Sequence, residues 1–245
     1  MVAARTTHEN TVKGLLIVVL GLNIALWFMV RGEREKWMNV PPAPDSRYAA
    51  AYGLGDAQLA YRSLALIIQN MGDTGGRTTS LADYDYYELV KWFFLEDLLD
   101  PLSNHVPYLA AFYFGGVQDP EKFRPVIDYL VKVGSRPEGE KWRFLAHAVY
   151  LARFELEDSD LALSLANKLA RVNNPHMPGW TRQMRAFVMN AQGKKDAAYA
   201  LLMEMLQTEP EKLAPNEGNF LRWYICERVL EKSEADINPI CKDIP

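Results

Sequence analysis

The segment 72–80, GDTGGRTTS, has the composition of a loop that binds a phosphate group. Its glycines would let backbone N–H groups approach the phosphate, but such a loop also needs a lysine, a preceding strand and a following helix. Arg77 stands where the lysine is required, and the residues before the segment have a helical pattern. We therefore interpret 72–80 as a connection between helices, with residues 78–80 capping the next helix.

Metal binding or acid–base catalysis would need side chains that converge, and the spacing of the candidates does not indicate this. No two histidines are four residues apart and no HExxH motif occurs, although these patterns place ligands on one helical face. The acidic pairs fall where helices are expected to end or begin, as solvated faces and caps. We expect no catalytic residue, no metal and no cofactor, and we predict that the protein is not an enzyme. The residues concerned are His8, His105, His147 and His176, and the pairs Glu96/Asp97 and Asp158/Asp160.

The two cysteines, Cys226 and Cys241, lie close to the C-terminus. Two cysteines cannot form a zinc site by themselves, and no Cys-x-x-Cys motif occurs. A disulfide between them would hold the tail against the last helix and would require an oxidising compartment. Two separate thiols are the alternative, and the sequence does not choose between them.

An uncharged apolar run occupies residues 14–30, GLLIVVLGLNIALWFMV. It is slightly shorter than the roughly 20 residues that usually cross a bilayer. Lys13 and Arg31 can extend from its ends towards water, and Trp27 lies at an interfacial position. A cleaved signal peptide would instead need small residues in an Ala-x-Ala pattern after the run, which ends in WFMV. We predict an uncleaved transmembrane anchor in a lipid bilayer, preceded by an N-terminal tail (1–13).

The positive-inside rule does not decide the orientation of this anchor, because both of its flanks are cationic. The cysteine pair favours the outer, oxidising side of the membrane for the following domain. For a bacterial source this means a single-pass inner-membrane protein with its soluble domain in the periplasm. The flanking cations are Arg5 and Lys13 before the run, and Arg31, Arg34 and Lys36 after it.

A proline-rich linker is expected over residues 31–46. Pro41, Pro42 and Pro44 cannot continue a helix, which predicts a stiff and extended tether. The folded domain is expected to begin near Arg47.

From residue 47 onwards, apolar residues recur at spacings of three and four, which indicates helices. In the C-terminal half, first helices are expected to begin near residues 104, 141, 179 and 215, at intervals of 37, 38 and 36 residues. Second helices are expected over 120–133, 160–172 and 194–207. One such pair cannot bury its own apolar face, so the pairs must stack. The predicted fold is all-α: the transmembrane helix, an atypical helical cap (47–102), an α-solenoid of stacked helical hairpins (103–232) and a C-terminal tail (233–245).

Residues 181–210, TRQMRAFVMNAQGKKDAAYALLMEMLQTEP, resemble a tetratricopeptide repeat. Ala186 and Ala198 occupy its small positions, Gly193 its turn and Pro210 its terminator. The unit before it resembles the motif less completely and lacks the terminal proline, and the unit that begins near residue 104 departs further. The positions matched in the preceding unit are Ala162, Ala166 and Leu169.

This resemblance implies a concave groove, lined by the first helix of each pair, that binds an extended or helical segment of another protein. Arginines nearby would supply charge to an acidic segment. The groove positions that the resemblance assigns are Gln183, Phe187 and Asn190, and in the preceding unit His147, Leu151 and Phe154; the arginines are Arg143, Arg182 and Arg185.

Aromatic residues crowd one stretch of the chain, and on helices they would cover nearly all sides. We expect most of them to form the core between hairpins and the rest to form an exposed patch, since tyrosine and tryptophan dominate binding hot spots. The residues are Tyr84, Tyr86, Tyr87, Trp92, Phe93 and Phe94, followed by Tyr108, Phe112, Tyr113 and Phe114.

The leading hypothesis is a membrane-anchored scaffold that binds another protein, as an accessory subunit or assembly factor of a membrane complex. The net charge of −4, with both signs interspersed, makes nucleic acid a poor partner. Two alternatives stay open. One is an enzyme or small-ligand-binding protein with a site around residues 72–87, and the other is a structural homo-oligomer joined through the aromatic patch.

Overall fold

The structure is a computed structural model that describes residues 2–31, 40–74, 77–117, 119–208 and 213–242. The chain forms two compact units, Met1–Met38 and Asn39–Pro245. The described part of the first unit is dominated by one long helix, and the second unit contains all the other helices.

Helix α1 (Val2–Val30) is long and apolar enough to span a membrane over Val12–Met29. The side chains of residues 12–29 are all exposed. Asn23, the one amide in this stretch, donates from Nδ2 to the carbonyl oxygen of Val19 at 3.0 Å, which satisfies part of its polarity within the helix. The predicted apolar N-terminal helix is confirmed, but it begins at Val2, so the expected border between a tail (1–13) and the anchor is not a helix boundary.

The second unit is built from helices joined by short connections, and the predicted all-helical class is confirmed. Its α-helices are α2 (Ser46–Ala49), α3 (Ala57–Gln69), α4 (Tyr86–Leu99), α5 (His105–Tyr108), α6 (Pro120–Gly134), α7 (Trp142–Phe154), α8 (Ser159–Leu169), α9 (Trp180–Ala191), α10 (Lys195–Thr208), α11 (Pro215–Tyr224) and α12 (Lys232–Ala235). Tighter 3-10 turns cover Ala50–Gly53, Leu81–Asp83, Phe114–Gly116 and Pro239–Cys241. π-helical turns extend α5 over Leu109–Tyr113 and α11 over Ile225–Val229.

The glycine-rich segment forms a short β-hairpin that the helical pattern did not predict. Strand β1 (Asp73–Thr74) pairs with the antiparallel strand β2 (Arg77–Thr78). Gly72 precedes the hairpin at a φ of +88°, and the Tyr84 hydroxyl occupies the space that a Cβ at this position would need. Helix α3 precedes this hairpin, so the strand that a phosphate-binding loop requires is missing from the described residues.

Aspartate side chains begin several of the helices by accepting hydrogen bonds from free backbone N–H groups. Asp56 Oδ1 accepts from the backbone nitrogens of Gln58 (2.8 Å) and Leu59 (3.0 Å) at the start of α3. Asp158 caps α8 in the same way, as the sequence predicts for the pair Asp158/Asp160. These caps explain why the helices start where they do.

Consecutive helices from α6 to α10 pack against one another in chain order. The first helices of the predicted pairs begin at residues 105, 142, 180 and 215, each within one residue of the expected position. Small residues allow this packing. Gly134 of α6 lies so close to α7 that a Cβ there would be 2.2 Å from the backbone nitrogen of Leu145.

Both ends of the second unit differ from the predicted domain limits. Val40 is fully buried, and the carbonyl oxygen of Pro41 accepts a hydrogen bond from Nε1 of Trp92 at 2.7 Å. The end of the predicted linker (31–46) therefore belongs to the folded unit, which starts before Arg47. Residues 32–39 of this linker lie outside the described residues.

The predicted C-terminal tail (233–245) is also attached to the fold as far as it is described, to residue 242. Asn238 Nδ2 donates to the hydroxyl of Tyr199 at 3.0 Å, and Cys241 forms a disulfide with Cys226.

Five of the ten residues of the aromatic stretch are buried in the core of the second unit, namely Tyr84, Tyr86, Trp92, Phe93 and Phe114. Tyr86, Phe93 and Phe114 are at most 1% exposed. The ring of Phe93 lies 5.4 Å from that of Phe114 and 5.2 Å from that of Tyr129, between centroids. Burying rings of this size against one another is a large contribution to the stability of α4, α5 and α6.

Replacing Gly134 with alanine is expected to lower the free energy of unfolding by about 2 kcal/mol, because the added methyl group would overlap the backbone of α7. Gly218→Ala is the matched control, since a Cβ at Gly218 of α11 meets no atom within 4 Å. It is expected to raise the free energy of unfolding by about 0.5 kcal/mol. Urea unfolding of the full chain in detergent, followed by circular dichroism, measures both. Equal stability of Gly134→Ala and the wild type would contradict the close contact of α6 and α7.

Candidate functional site

An apolar groove lies across the first helices of the predicted repeats. It consists of two cavities of about 380 and 300 Å³ that share Tyr150 of α7 and Met184 of α9, so they form one continuous surface. We name this surface the aromatic groove. The larger cavity is lined by Val149, Tyr150, Arg153, Phe154, Met184, Phe187, Val188, Ala191 and Tyr224, and the smaller by Tyr108, Phe112, Trp142, Arg143, Ala146, His147, Tyr150, Trp180 and Met184.

Aromatic residues four positions apart supply much of this surface. Positions i and i+4 lie on one face of a helix, so each pair presents two neighbouring rings to the same side. The rings remain 40–61% exposed in Tyr108, Phe112, Tyr150 and Phe154. The pairs in which both residues line the groove, with the distances between their ring centroids, are Tyr108/Phe112 (5.7 Å) and Tyr150/Phe154 (5.0 Å).

His147 lies between two of these rings, 4.4 Å from Phe112 and 5.6 Å from Tyr150 between centroids. Its Nε2–H donates to the carbonyl oxygen of Ala111 at 2.9 Å. Burial lowers the pKa of His147 below its ordinary value of 6.5, which keeps the imidazole neutral at pH 7. The groove is therefore uncharged at this position and behaves as an aromatic surface.

Helices α9 and α11 form the other end of the groove. The ring of Phe187 lies 4.6 Å from that of Tyr224 between centroids. Asn190 Nδ2 donates to the Tyr224 hydroxyl at 3.0 Å and to the carbonyl oxygen of Arg228 at 3.1 Å. Asn190 thus holds α11 against α9 and positions the Tyr224 ring beside Phe187.

The charges that line the groove are all cationic. Arg143 and Arg153 line the two cavities, and none of the lining residues is a carboxylate. Arg143 pairs with Glu140 at 2.6 Å, outside the lining. Arg153 lies over the ring of Phe154, 5.5 Å from its centroid, and forms no ion pair with a described residue. The site can therefore accept apolar side chains that have carboxylates next to them.

Three of the predicted groove positions, His147, Phe154 and Phe187, and one of the predicted arginines, Arg143, line this groove. The sequence did not single out Tyr150 and Met184, which join the two cavities. The signal that indicates Tyr150 is its spacing of four from Phe154, the spacing that also relates Tyr108 to Phe112.

The other predicted contacts lie outside the two cavities. Gln183 and Leu151 are only 1% and 2% exposed, so they pack inside the unit. Each lies next to a groove residue in sequence, and one position along a helix rotates a side chain by about 100°. Asn190 serves the α9–α11 contact, and Arg182 lines neither cavity.

Cys226 and Cys241 are joined in a disulfide, with their Cα atoms 5.8 Å apart. The bond connects the π-helical turn after α11 to the 3-10 turn Pro239–Cys241. Since Tyr224 precedes Cys226 by two residues, the disulfide fixes the end of the helix that closes the groove.

Two tyrosines of the alternative site around residues 72–87 are part of the core. Tyr84 and Tyr86 are buried, and their hydroxyls donate to the carbonyl oxygens of Met71 and Phe114. Neither groove cavity includes a residue of this segment. In the part of the chain that the structure describes, no group of three His, Cys, Asp or Glu side chains is placed to hold a metal ion.

The acidic pair Glu96/Asp97 also belongs to the interior. Glu96 is fully buried, and neither of its carboxylate oxygens has a hydrogen-bond partner among the described residues. Burial raises the pKa of Glu96 to about 8, so the group is mostly protonated at pH 7. Asp97 forms a two-point ion pair with Arg136, in which Nη1 donates to Oδ1 at 2.8 Å. Neither carboxyl faces the groove, and we interpret both as parts of the core.

No protein-family model, no curated protein and no solved structure matches this chain. The resemblance of residues 181–210 to a tetratricopeptide repeat therefore stays a prediction. The functional argument depends on the groove, the disulfide and the apolar helix α1.

The buried carboxyl of Glu96 makes stability depend on pH. Its pKa of about 8 in the folded chain exceeds the ordinary value of 4.5, so between these values the folded state binds the additional proton. The contribution of this proton to the free energy of unfolding is then fully present below pH 4.5 and is lost as the pH rises through 8. Glu96→Gln should remove this pH dependence. From pH 5 to pH 8, the free energy of unfolding of the wild type should fall by on the order of 3 kcal/mol more than that of the variant. Denaturant unfolding of both full chains across this range measures the difference, and parallel pH profiles would contradict it.

Proposed function

We propose that this protein is a single-pass membrane protein whose second unit is a tetratricopeptide-like array that binds a segment of another protein in the aromatic groove. The observation that carries the proposal is the continuity of the groove, in which Tyr150 and Met184 belong to both cavities. Helix α1 is the anchor in this proposal, because its exposed apolar side chains are stable in hydrocarbon and costly in water.

The order of the helices supports a repeat array. First helices begin at residues 142 and 180, second helices at 159 and 195, and each helix packs on the next. Ala186 and Ala198, the small positions of the tetratricopeptide motif, are fully buried. Pro210, the terminator of that motif, lies outside the described residues.

The chemistry of the groove indicates what the partner segment carries. Exposed aromatic rings beside arginines favour large apolar side chains with carboxylates next to them. Neighbouring helices pack about 8–10 Å apart, so the two cavities would take apolar residues separated by about 10 Å. Such residues are about seven positions apart on a helix or about three apart on an extended segment. Binding in this way would serve an accessory subunit or assembly factor of a membrane complex.

Tyr150→Ala is expected to lower the recovery of the bound partner about 30-fold, because truncating a binding hot spot costs about 2 kcal/mol. The measurement is co-purification of the tagged full chain from its native membrane in mild detergent, with quantitative mass spectrometry. Tyr87→Ala is the matched control, since Tyr87 on α4 is 66% exposed and lines neither cavity. It should leave recovery unchanged.

Three outcomes of that experiment would count against the proposal. Equal losses in the two variants would mean that the groove is not the binding site. A chain that purifies alone would remove the support for a scaffold. Recovery of only a second copy of the same chain would favour the homo-oligomer.

The disulfide supports an oxidising location for the second unit, which for a bacterial protein is the periplasmic side of the inner membrane. Cys226 and Cys241 are the only cysteines of the chain, so their state can be measured without interference.

In the full chain denatured from its native membrane, neither cysteine is expected to react with a maleimide until a reductant is added, after which both should react. Mass spectrometry of the intact chain counts the adducts. Cys241→Ser is the control, because its remaining thiol should react without reductant. Reaction of both wild-type cysteines before reduction would place the second unit in a reducing compartment.

A further inference from the structure

Four large apolar side chains are exposed in and around the connection between α2 and α3. Leu54 is 95% exposed, and Tyr48, Tyr52 and Leu59 are 67%, 53% and 48% exposed. They come from α2, the following 3-10 turn, and the first turn of α3, which pack on one another. We name these four residues the apolar tip.

Hydrogen bonds hold the backbone of the tip in one conformation. The backbone nitrogen of Gly55 donates to the carbonyl oxygen of Ala50 at 2.8 Å, and that of Leu54 donates to Ala51 at 3.1 Å. Gly53 packs against α3 so closely that a Cβ there would lie 2.4 Å from the backbone nitrogen of Ala60. The turn is therefore fixed on α3, with the Leu54 side chain projecting from it.

Leu54 is an unfavourable residue for this turn. The hydrogen bonds of Leu54 and Gly55 are those of a helix end at which one residue adopts the left-handed conformation. Glycine is the usual residue at that position, which Leu54 occupies here. Leu54 has a φ of +52°, which a branched side chain rarely adopts, and its exposed side chain gains no packing in return. A strained and exposed leucine is thus present where neither the turn nor the core requires it, which points to a contact outside the chain.

The covalent chain limits where that contact can lie, if α1 is the membrane anchor of the proposed function. Ten residue steps, from 30 to 40, separate the end of α1 from the folded unit, and they can span at most about 36 Å. In the proposed function, this connection limits how far the unit can move from the bilayer surface. Charges around the tip are balanced, since Asp45 and Asp56 accompany Arg47 and Arg62, so apolar contact rather than charge would drive binding.

We propose that the apolar tip inserts into the interface of the bilayer that holds α1. Leu54 enters the apolar boundary, while Tyr48 and Tyr52 lie at headgroup depth, where their rings and hydroxyls are both solvated. The four tip residues line neither cavity of the groove, and a fluid lipid surface can surround a projecting side chain without a matching pocket. This second attachment orients the folded unit on the membrane and leaves the aromatic groove free for its partner.

The test uses the full chain with the photoreactive residue p-benzoylphenylalanine at position 54, reconstituted in phosphatidylcholine vesicles. Lipid adducts are counted by mass spectrometry after illumination. The same probe at Leu20 of α1 is the positive control, and the probe at Phe154 of the groove is the negative control. The native side chains at both positions are 61% exposed. Adduct formation at position 54 is expected to be about tenfold above that at 154.

Each outcome separates this inference from the proposed function. Adducts at position 20 but not at 54 would overturn the insertion of the tip and leave the anchor standing. No adducts at position 20 would overturn the anchor itself. Adducts at position 54 with a second copy of the chain instead of lipid would assign the tip to a protein contact and overturn the inference.

A second variant removes the leucine without disturbing the turn. Leu54→Gly suits the left-handed conformation, so helix content by circular dichroism should not change. With the probe at Tyr52, this variant is expected to lower lipid adducts about fivefold. An unchanged yield would show that Leu54 does not insert.

Discussion

Consecutive helices of the second unit can approach one another only where small side chains meet, and the other features of the unit depend on this constraint. Ala148 and Ala152 of α7, and Ala162 and Ala166 of α8, are fully buried. Gly134 of α6 has no room for a Cβ against α7. At these crossings the backbones are close enough for side chains on both helices to pack at the density of a protein interior.

This packing also determines where the large side chains go. The buried face of α7 holds Phe144 and Leu145 as well as alanines, and Tyr150 and Phe154 remain on its open side. Rings on successive first helices then lie beside one another and form the aromatic groove. The aromatic groove is therefore a consequence of the packing that stabilises the second unit, which explains why it is continuous across helices.

Polar groups within the interior connect α3 to the start of α7. The Tyr61 hydroxyl of α3 is hydrogen-bonded to Ser103 Oγ at 2.6 Å, and Lys141 Nζ donates to the carbonyl oxygen of Ser103 at 2.5 Å. Burial lowers the pKa of Lys141, which shows the cost of enclosing this ammonium group. Contacts of this kind are satisfied in only one arrangement of helices, so they fix α3 and the start of α7 relative to each other.

The sequence by itself determined the features that depend on local patterns. The apolar run of α1, the helical class and the starts of α7 and α9 follow from an uncharged stretch and from the three- and four-residue spacing of apolar residues, which act within one helix. Only the tertiary structure decided which face of each helix is open. Gln183 and Leu151 lie one position from groove residues, and the neighbouring helices place them inside. The burial of Glu96 was also decided by the tertiary structure, because it depends on segments that are far apart in the chain. The turn at Leu54 could not be predicted, because glycine is the usual residue at its left-handed position and this sequence has leucine there.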